Sequence, residues 1–295
     1  MIDKYQRIDF RDQISNNKLR SFFLMIFIFV IIVLLGYVIS MALEPGYFFI
    51  IMIFSIIFSL SYILISYYNS DKIALASVGA KQASREKYKQ FYNSVESLTL
   101  ASGLVMPKLY VMESESINAF ASGRNPNHAV LCVTTGALKK LNKQELEGVL
   151  AHELSHIANY DIRYMTLVTV MVGIIAIISE IFLRSLWFKS SDKESKGNAI
   201  FILIGIALAI LAPIVVYFVQ LAISRKREYT ADASAVQFTR YPPGLIEALK
   251  KIKSENISEK KISKAVAPLF FANPFKGMGS THPPIEKRIE ILERM

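Results

Sequence analysis

The chain has 295 residues, 53% of them hydrophobic and 20% charged, with a mean hydropathy of +0.36 and a formal charge of +10. That is too apolar for an ordinary soluble protein of this size, and the charges cluster between long apolar runs, so the composition points to a membrane protein. The excess of 34 Lys and Arg over 24 Asp and Glu does not call for nucleic acid, because membrane proteins gather Lys and Arg at their cytoplasmic flanks; the single cysteine, Cys132, excludes an intramolecular disulfide.

Residues 1–20 read as a polar cytoplasmic tail carrying Lys4, Arg7, Arg11, Lys18 and Arg20. Residues 21–43 and 47–68 then contain no charge, and each exceeds the roughly 20 residues that cross a bilayer as a helix. Glu44, Pro45 and Gly46 form a turn between them, so residues 21–68 are expected to be a transmembrane helical hairpin. A cleaved signal peptide fits the first run poorly: it would have an apolar core of about 7–15 residues and a small-residue cleavage site. The turn lacks Lys and Arg, whereas Lys72, Lys81, Arg85, Lys87 and Lys89 follow the second run. The positive-inside rule therefore puts both outer flanks in the cytoplasm.

Residues 69–163 are mixed. The pattern predicts an amphipathic helix over 81–100 and strands over 108–113 and 129–133, separated by turn signals. Cys132 lies within the second of these apolar strands and reads as a small buried hydrophobe rather than a nucleophile. Asn142 with Glu145 three places on is a helix start, and the helix continues through Leu146, Val149, Leu150 and two histidines. Two more apolar runs follow over 164–222, at 165–183 with Glu180 and at 199–222 interrupted by Pro213. Arg184, Lys189, Lys193 and Lys196 join them, which is unfavourable for an external loop, yet full crossing is expected ahead of partial packing within the protein or at the interface. Either way the chain returns to the same side, so 69–163 and 223–295 can form one domain. Helices are expected near 225–239, 244–253 and 285–294.

His152-Glu153-Leu154-Ser155-His156 carries the chemistry. Positions i and i+4 of a helix share a face, so the two imidazoles can bind one Zn²⁺. Glu153, beside the first, can take a proton from a water whose pKa the metal lowers towards neutrality. With only four histidines in the chain, two at this spacing around a Glu arise by accident about one time in a hundred or less. Leu150, Ala151, Leu154, Ile157 and Ala158 are expected to pack the helix into a core. A catalytic zinc needs a third protein ligand and an open position. His128, His282, Asp161, Asp232 and Glu228 are candidates. Glu228 and Asp232 stand out, one turn apart on a helix, so that one can bind metal while the other braces a ligand.

On these residues the chain resembles the HtpX-like membrane metallopeptidases, a group that also includes the CAAX prenyl proteases. The resemblance spans nearly the whole chain: hairpin, zinc-binding helix, two later apolar segments and a Glu-x-x-x-Asp helix. Asn159 and Asp161, the stretch Asn118-Ala-Phe-Ala-Ser-Gly123, and Thr281-His282-Pro-Pro-Ile-Glu-Lys-Arg288-Ile289 fit it too. It implies Glu228 as the third ligand and one Zn²⁺ per chain. The expected architecture is mainly α: about four membrane helices plus an α+β metalloprotease domain of zincin type. The protein is expected to be multi-pass in the cell (inner) membrane, with that domain facing the cytoplasm. The expected function is peptide-bond hydrolysis, with Glu153 activating the water and passing its proton to the leaving amine. His282 is the candidate for oxyanion stabilisation, its rival role being to fix the Pro283-Pro284 turn. Arg288 pairs with Asp232 or lies exposed on a helix. Asn118 to Ala121 and the following strand form an ordinary hairpin or an edge to which an extended substrate adds. The resemblance further implies quality control and stress response, with misfolded or damaged membrane proteins as substrates. The alternatives are a zinc hydrolase for a defined modified peptide, and a membrane scaffold with a structural zinc; the lone Cys132 and the intact Glu153 argue against the scaffold.

Overall fold

The computed structural model describes residues 10–42, 45–169, 225–255, 269–272 and 283–295. The expected spans at 165–183 and 199–222 lie outside these, apart from the first residues of the former.

The first two described helices are α1 (Phe10–Ala42) and α2 (Phe48–Ser77), the second preceded by a 3-10 turn (Pro45–Tyr47), and they pack against each other. Their 33 and 30 residues correspond to about 50 and 45 Å at ~1.5 Å per residue. Both are long and apolar enough to cross a membrane, α1 over Ile14–Leu34 and α2 over its whole length. Leu24 and Ile28 of α1 cluster with Tyr62, Ile63 and Tyr67 of α2, and where the two backbones come nearest the side chains are small. Ser55, Ser59 and Ser66 are the buried residues of α2 up to Tyr68, while Phe49, Ile53, Phe54 and Ile57 face outwards. At Gly36 the helices come so near that a Cβ would lie 1.9 Å from Ser55 Oγ, the close approach that small residues allow in apolar surroundings.

Both helices outrun their apolar stretches. Residues 10–20, read as a tail, are helical from Phe10 onwards. α2 passes Tyr68 through a kink at Asn69 (φ −117°, ψ 16°) and ends at Ser77. Charges such as Asp71 end membrane hydropathy but not helix propensity. The extension carries Ala74 and Leu75 into a cluster with Met112, Phe120, Val130 and Cys132.

The sheet has four strands, β1 (Lys81–Gln82), β2 (Lys108–Met112), β3 (Ala119–Gly123) and β4 (Ala129–Thr134), in the order β1-β2-β4-β3. β2 and β4 are parallel, the other neighbours antiparallel. The expected helix over 81–100 begins only at Lys89, as α3 (Lys89–Ser102). The residues before it are captured by the sheet: Lys81 pairs with Val111, and the Ala83 N–H donates to Leu109 O. All six residues of β4 are buried, and burial pushes the Cys132 thiol far above its ordinary pKa, which leaves it inert.

After α4 (Thr135–Lys140), α5 (Lys143–Ala158) runs through the centre of the domain, in contact with α3, β3, α6 (Arg225–Thr239) and α7 (Pro242–Glu255). The expected capping box forms: the Asn142 side chain accepts from the Glu145 N–H, and Glu145 Oε2 from the Asn142 N–H, worth about 1 kcal/mol. Leu150, Ala151, Leu154 and Ile157 are fully buried and only Ala158 is half-exposed. A helical segment over 161–169 then packs Tyr164, Leu167 and Val168 on Leu24 and Ile28 of α1. The last helix is α8 (Ile285–Leu292).

Candidate metal centre

His152, Glu153 and His156 sit in the buried middle of α5. Tyr160, with φ at +58°, turns the chain at the end of α5. The helical segment that follows brings Asp161 back beneath His156, whose Nδ1 lies 3.0 Å from Asp161 Oδ2. On α6, Asp232 Oδ1 lies 2.9 Å from His152 Nδ1. A carboxylate only accepts, so each Nδ1 carries the proton and donates, which leaves both Nε2 lone pairs aimed inwards. They face each other at 3.2 Å. Two acceptors at that distance repel unless a cation or a proton lies between them. Glu228, one turn before Asp232, places a carboxylate oxygen 3.5 Å from each Nε2.

The three donors suit a small tetrahedral ion. Metal–nitrogen bonds of ~2.0–2.1 Å imply donor separations of about 3.3 Å; the two Nε2 atoms are 3.2 Å apart, Glu228 Oε2 lies 3.5 Å from His152 Nε2, and Glu228 Oε1 lies 3.5 Å from His156 Nε2. Among the described residues, His152, His156 and Glu228 are the group of such donors that could hold a metal ion. The other described candidates lie elsewhere. Asp161 and Asp232 back the imidazoles, and His128 is exposed and bonded to Asn125. His282 falls outside the described residues.

Arg288 is not an exposed helix residue. It is 1% exposed and grips Asp232 with both ends of its fork, Nε to Oδ2 at 2.9 Å and Nη2 to Oδ1 at 2.6 Å. Burial opposes the charge on Asp232, but Arg288 and His152 more than offset it and hold the carboxyl below its ordinary range. For His156, burial works against protonation. The hydrogen bond to Asp161 and the charges of Glu228, Asp161 and Glu153 prevail, and the pKa rises to about 9. That is the proton a metal would displace. Glu153 goes the opposite way from a surface carboxylate: burial raises its pKa against the lowering influence of His156 and His152. Its Oε2 accepts from the Ala121 N–H of β3 at 2.8 Å.

The outer edge of β3 is occupied by the chain itself. Phe270 makes an antiparallel bridge to Phe120, and the Phe271 N–H donates to Ala119 O at 2.8 Å. The Asn118 side chain bonds both the carbonyl and the N–H of Ala272. The Phe271 ring stands edge-on to His152 at 4.9 Å and beneath the Arg288 guanidinium at 4.7 Å. No sequence signal marked residues 269–272 as part of this site.

The sequence model of peptidase family M48 matches residues 85–295, the stretch that carries every side chain of this site. The chain belongs to peptidase family M48. It is 46% identical over 242 residues to a Protease HtpX homolog of Thermoanaerobacter pseudethanolicus, covering 79% of this chain and 81% of the relative. A Protease HtpX homolog of Dictyoglomus thermophilum is 41% identical over 290 residues, 97% of this chain and 95% of the relative. One from Listeria monocytogenes is 38% identical over 302 residues, at 96% and 99%. Among solved structures, the crystal structure of S. mikatae Ste24p has a TM-score of 0.47 at 18% identity, over 95% of this chain and 66% of that one. This M48 peptidase is a membrane metallopeptidase, and its buried His152–His156–Glu228 cluster could hold a metal ion.

Proposed function

We propose that the metal is Zn²⁺, one per chain, held by His152, His156 and Glu228, and that Glu153 is the general base and acid of an endopeptidase. The convergence of two Nε2 lone pairs and one carboxylate at tetrahedral spacing, with a second, basic carboxylate on the adjoining helix position, carries this reading. When bound, the zinc would supply Lewis acidity, making a water acidic near neutral pH and polarising the scissile carbonyl. Glu153 would accept a proton from the attacking water and return it to the leaving amine as the C–N bond breaks. Its raised pKa suits both halves of the task, and the Ala121 N–H fixes the orientation of the carboxylate. Asp161 and the Arg288-locked Asp232 keep both imidazoles protonated on Nδ1 and hence ligating through Nε2. His282 remains the candidate for stabilising the oxyanion. An extended substrate adds along β3, on the edge that Leu269, Phe270, Phe271 and Ala272 now hold, so that segment has to yield.

The membrane reading extends the same way: two further crossings over 164–222, the metal domain in the cytoplasm, the inner membrane as location, and damaged membrane proteins as substrates. The domain division 1–20, 21–68, 69–163, 164–222 and 223–295 belongs to this proposal. The outward-facing apolar residues of α2 and the resemblance to HtpX-like proteins support it. The test is digestion of a purified membrane-protein substrate by the full chain in detergent. Internal cleavage should occur with Zn²⁺ and cease on chelation. Cleavage unaffected by chelation rules out the zinc mechanism, and removal of only a modified C-terminal residue group favours the defined-peptide hydrolase.

A further inference from the structure

We propose that Asn17, on the membrane helix α1, is a positioning residue for the metal site, acting on His156 through Asp161. The proposal rests on the reading of His156 as a metal ligand. Asn17 is 1% exposed, although it stands in the polar first turns of α1. Its side-chain amide donates to Asp161 Oδ1 at 2.6 Å and to Asn159 O at 3.1 Å. Both partners belong to the turn that ends α5, over 140 residues away in sequence. The other oxygen of Asp161 holds the Nδ1–H of His156 at 3.0 Å. One carboxylate is thus clamped between a membrane helix and a metal-facing imidazole.

The physical consequence follows from the freedom of the groups. The terminal torsion of an Asp side chain is broad, so a carboxylate held by one oxygen alone can swing. Asn17, together with the buried Arg227 guanidinium whose charge also acts on Asp161, restricts that freedom, and with it the freedom of the His156 ring that the carboxylate steers. Its second bond satisfies the carbonyl of Asn159, at the end of α5 where backbone acceptors lack helical partners. Lys18 Nζ over the Tyr160 ring at 4.6 Å seats the same helix on the same turn. A residue that only docked α1 would need neither the Asp161 oxygen nor so short a bond to it. The metal site therefore depends on how α1 is seated.

The experiment measures Zn²⁺ affinity of the full chain in detergent by competition with a chromophoric chelator, together with the visible spectrum of the Co²⁺-loaded protein and the melting temperature of the metal-free one. The variants are Asn17→Ala, Asn17→Asp, Asp161→Ala and the Asn17→Ala/Asp161→Ala pair, with Ser21→Ala as a control one turn along α1. Residues that directly support a ligand typically account for about 10–100-fold in metal affinity. Asn17 acts one group further out, so Asn17→Ala should weaken Zn²⁺ binding by about 3–10-fold and alter the Co²⁺ spectrum. Asn17→Asp, which opposes two acceptors, should weaken it more, and Ser21→Ala should leave it unchanged. In the Asp161→Ala background, Asn17→Ala should have no further effect. The proposal is overturned if both Asn17 variants bind Zn²⁺ like the parent, if the loss is the same with and without Asp161, or if neither Asn17 variant folds, since Asn17 would then serve the fold alone. Full Zn²⁺ binding by His156→Ala would instead remove the ligand reading on which the proposal stands.

Discussion

Twelve of the sixteen residues of α5 are buried, and they include His152, Glu153, Ser155 and His156; the buried residues of α2 are four serines, Ala74 and Leu75, while Phe49 and Phe54 are 74% and 67% exposed. One principle sorts both helices. For α5 the alternative to burial is water, so apolar side chains go inside and buried polar ones need partners: Asp232, Asp161 and the Ala121 N–H. For α2, read as a membrane helix, the alternative is hydrocarbon, where an outward phenylalanine costs nothing and small residues such as Gly36 and Ser55 let the backbones approach. A buried polar residue thus signals chemistry in α5 and close packing in α2, where Ser55 returns its hydroxyl to Ile51 O of its own helix.

Substitutions can break that contrast. The largest effect is expected at the donors: His152→Ala or His156→Ala should abolish bound zinc by metal analysis, and Glu228→Gln should lower zinc and activity together. Full zinc and activity in Glu228→Gln would send the third ligand to His282, Asp232 or Asp161. Glu153→Gln should keep about one zinc per chain while hydrolysis drops by about 10²–10⁴-fold; near-normal turnover with zinc bound would mean that this buried carboxylate is structural. In the membrane hairpin, Gly36→Leu should loosen the α1–α2 seam by about 1–3 kcal/mol, as overpacking does, seen as a lower melting temperature in detergent. Phe54→Leu, facing outwards, should move it little, and equal effects would dissolve the distinction between seam and lipid face.

The smallest effect is a pH dependence of the metal-free protein. The His156 pKa is raised from 6.5 to about 9 in the folded state, so protonation stabilises the fold. That contribution is complete below pH 6.5 and disappears as pH rises through 9. The metal-free melting temperature should therefore fall across that window, and zinc should flatten the decline. A metal-free protein that gained stability with rising pH would contradict the site's electrostatics.

Much of α5 was legible because its signals are local. The capping box is read over four residues and the histidine pair over five. The apolar runs of the hairpin needed only their length against that of a bilayer, and two of the about four expected membrane helices lie among the described residues. The start of α1 was missed because residues 10–20 lack an apolar stripe, and the start of α3 because β2 claims the residues before it. Residues 269–272 show no strand periodicity, and their place on β3 comes from an edge formed 150 residues earlier.

By itself the sequence determined that His152 and His156, one turn apart on a helix, share a face with Glu153 beside the first, and that the apolar runs at 21–43 and 47–68 are long enough to cross a bilayer. It left open which of Glu228 and Asp232, one turn apart on α6, faces the two Nε2 atoms, and that depends on how α6 is rotated against α5. The grip of Arg288 on Asp232, 56 residues away, and of Asn17 on Asp161, 144 residues away, likewise came only with the tertiary structure. A hydrogen bond forms within about 3 Å, and no spacing along a chain encodes a meeting that the packing of separate helices has to bring about.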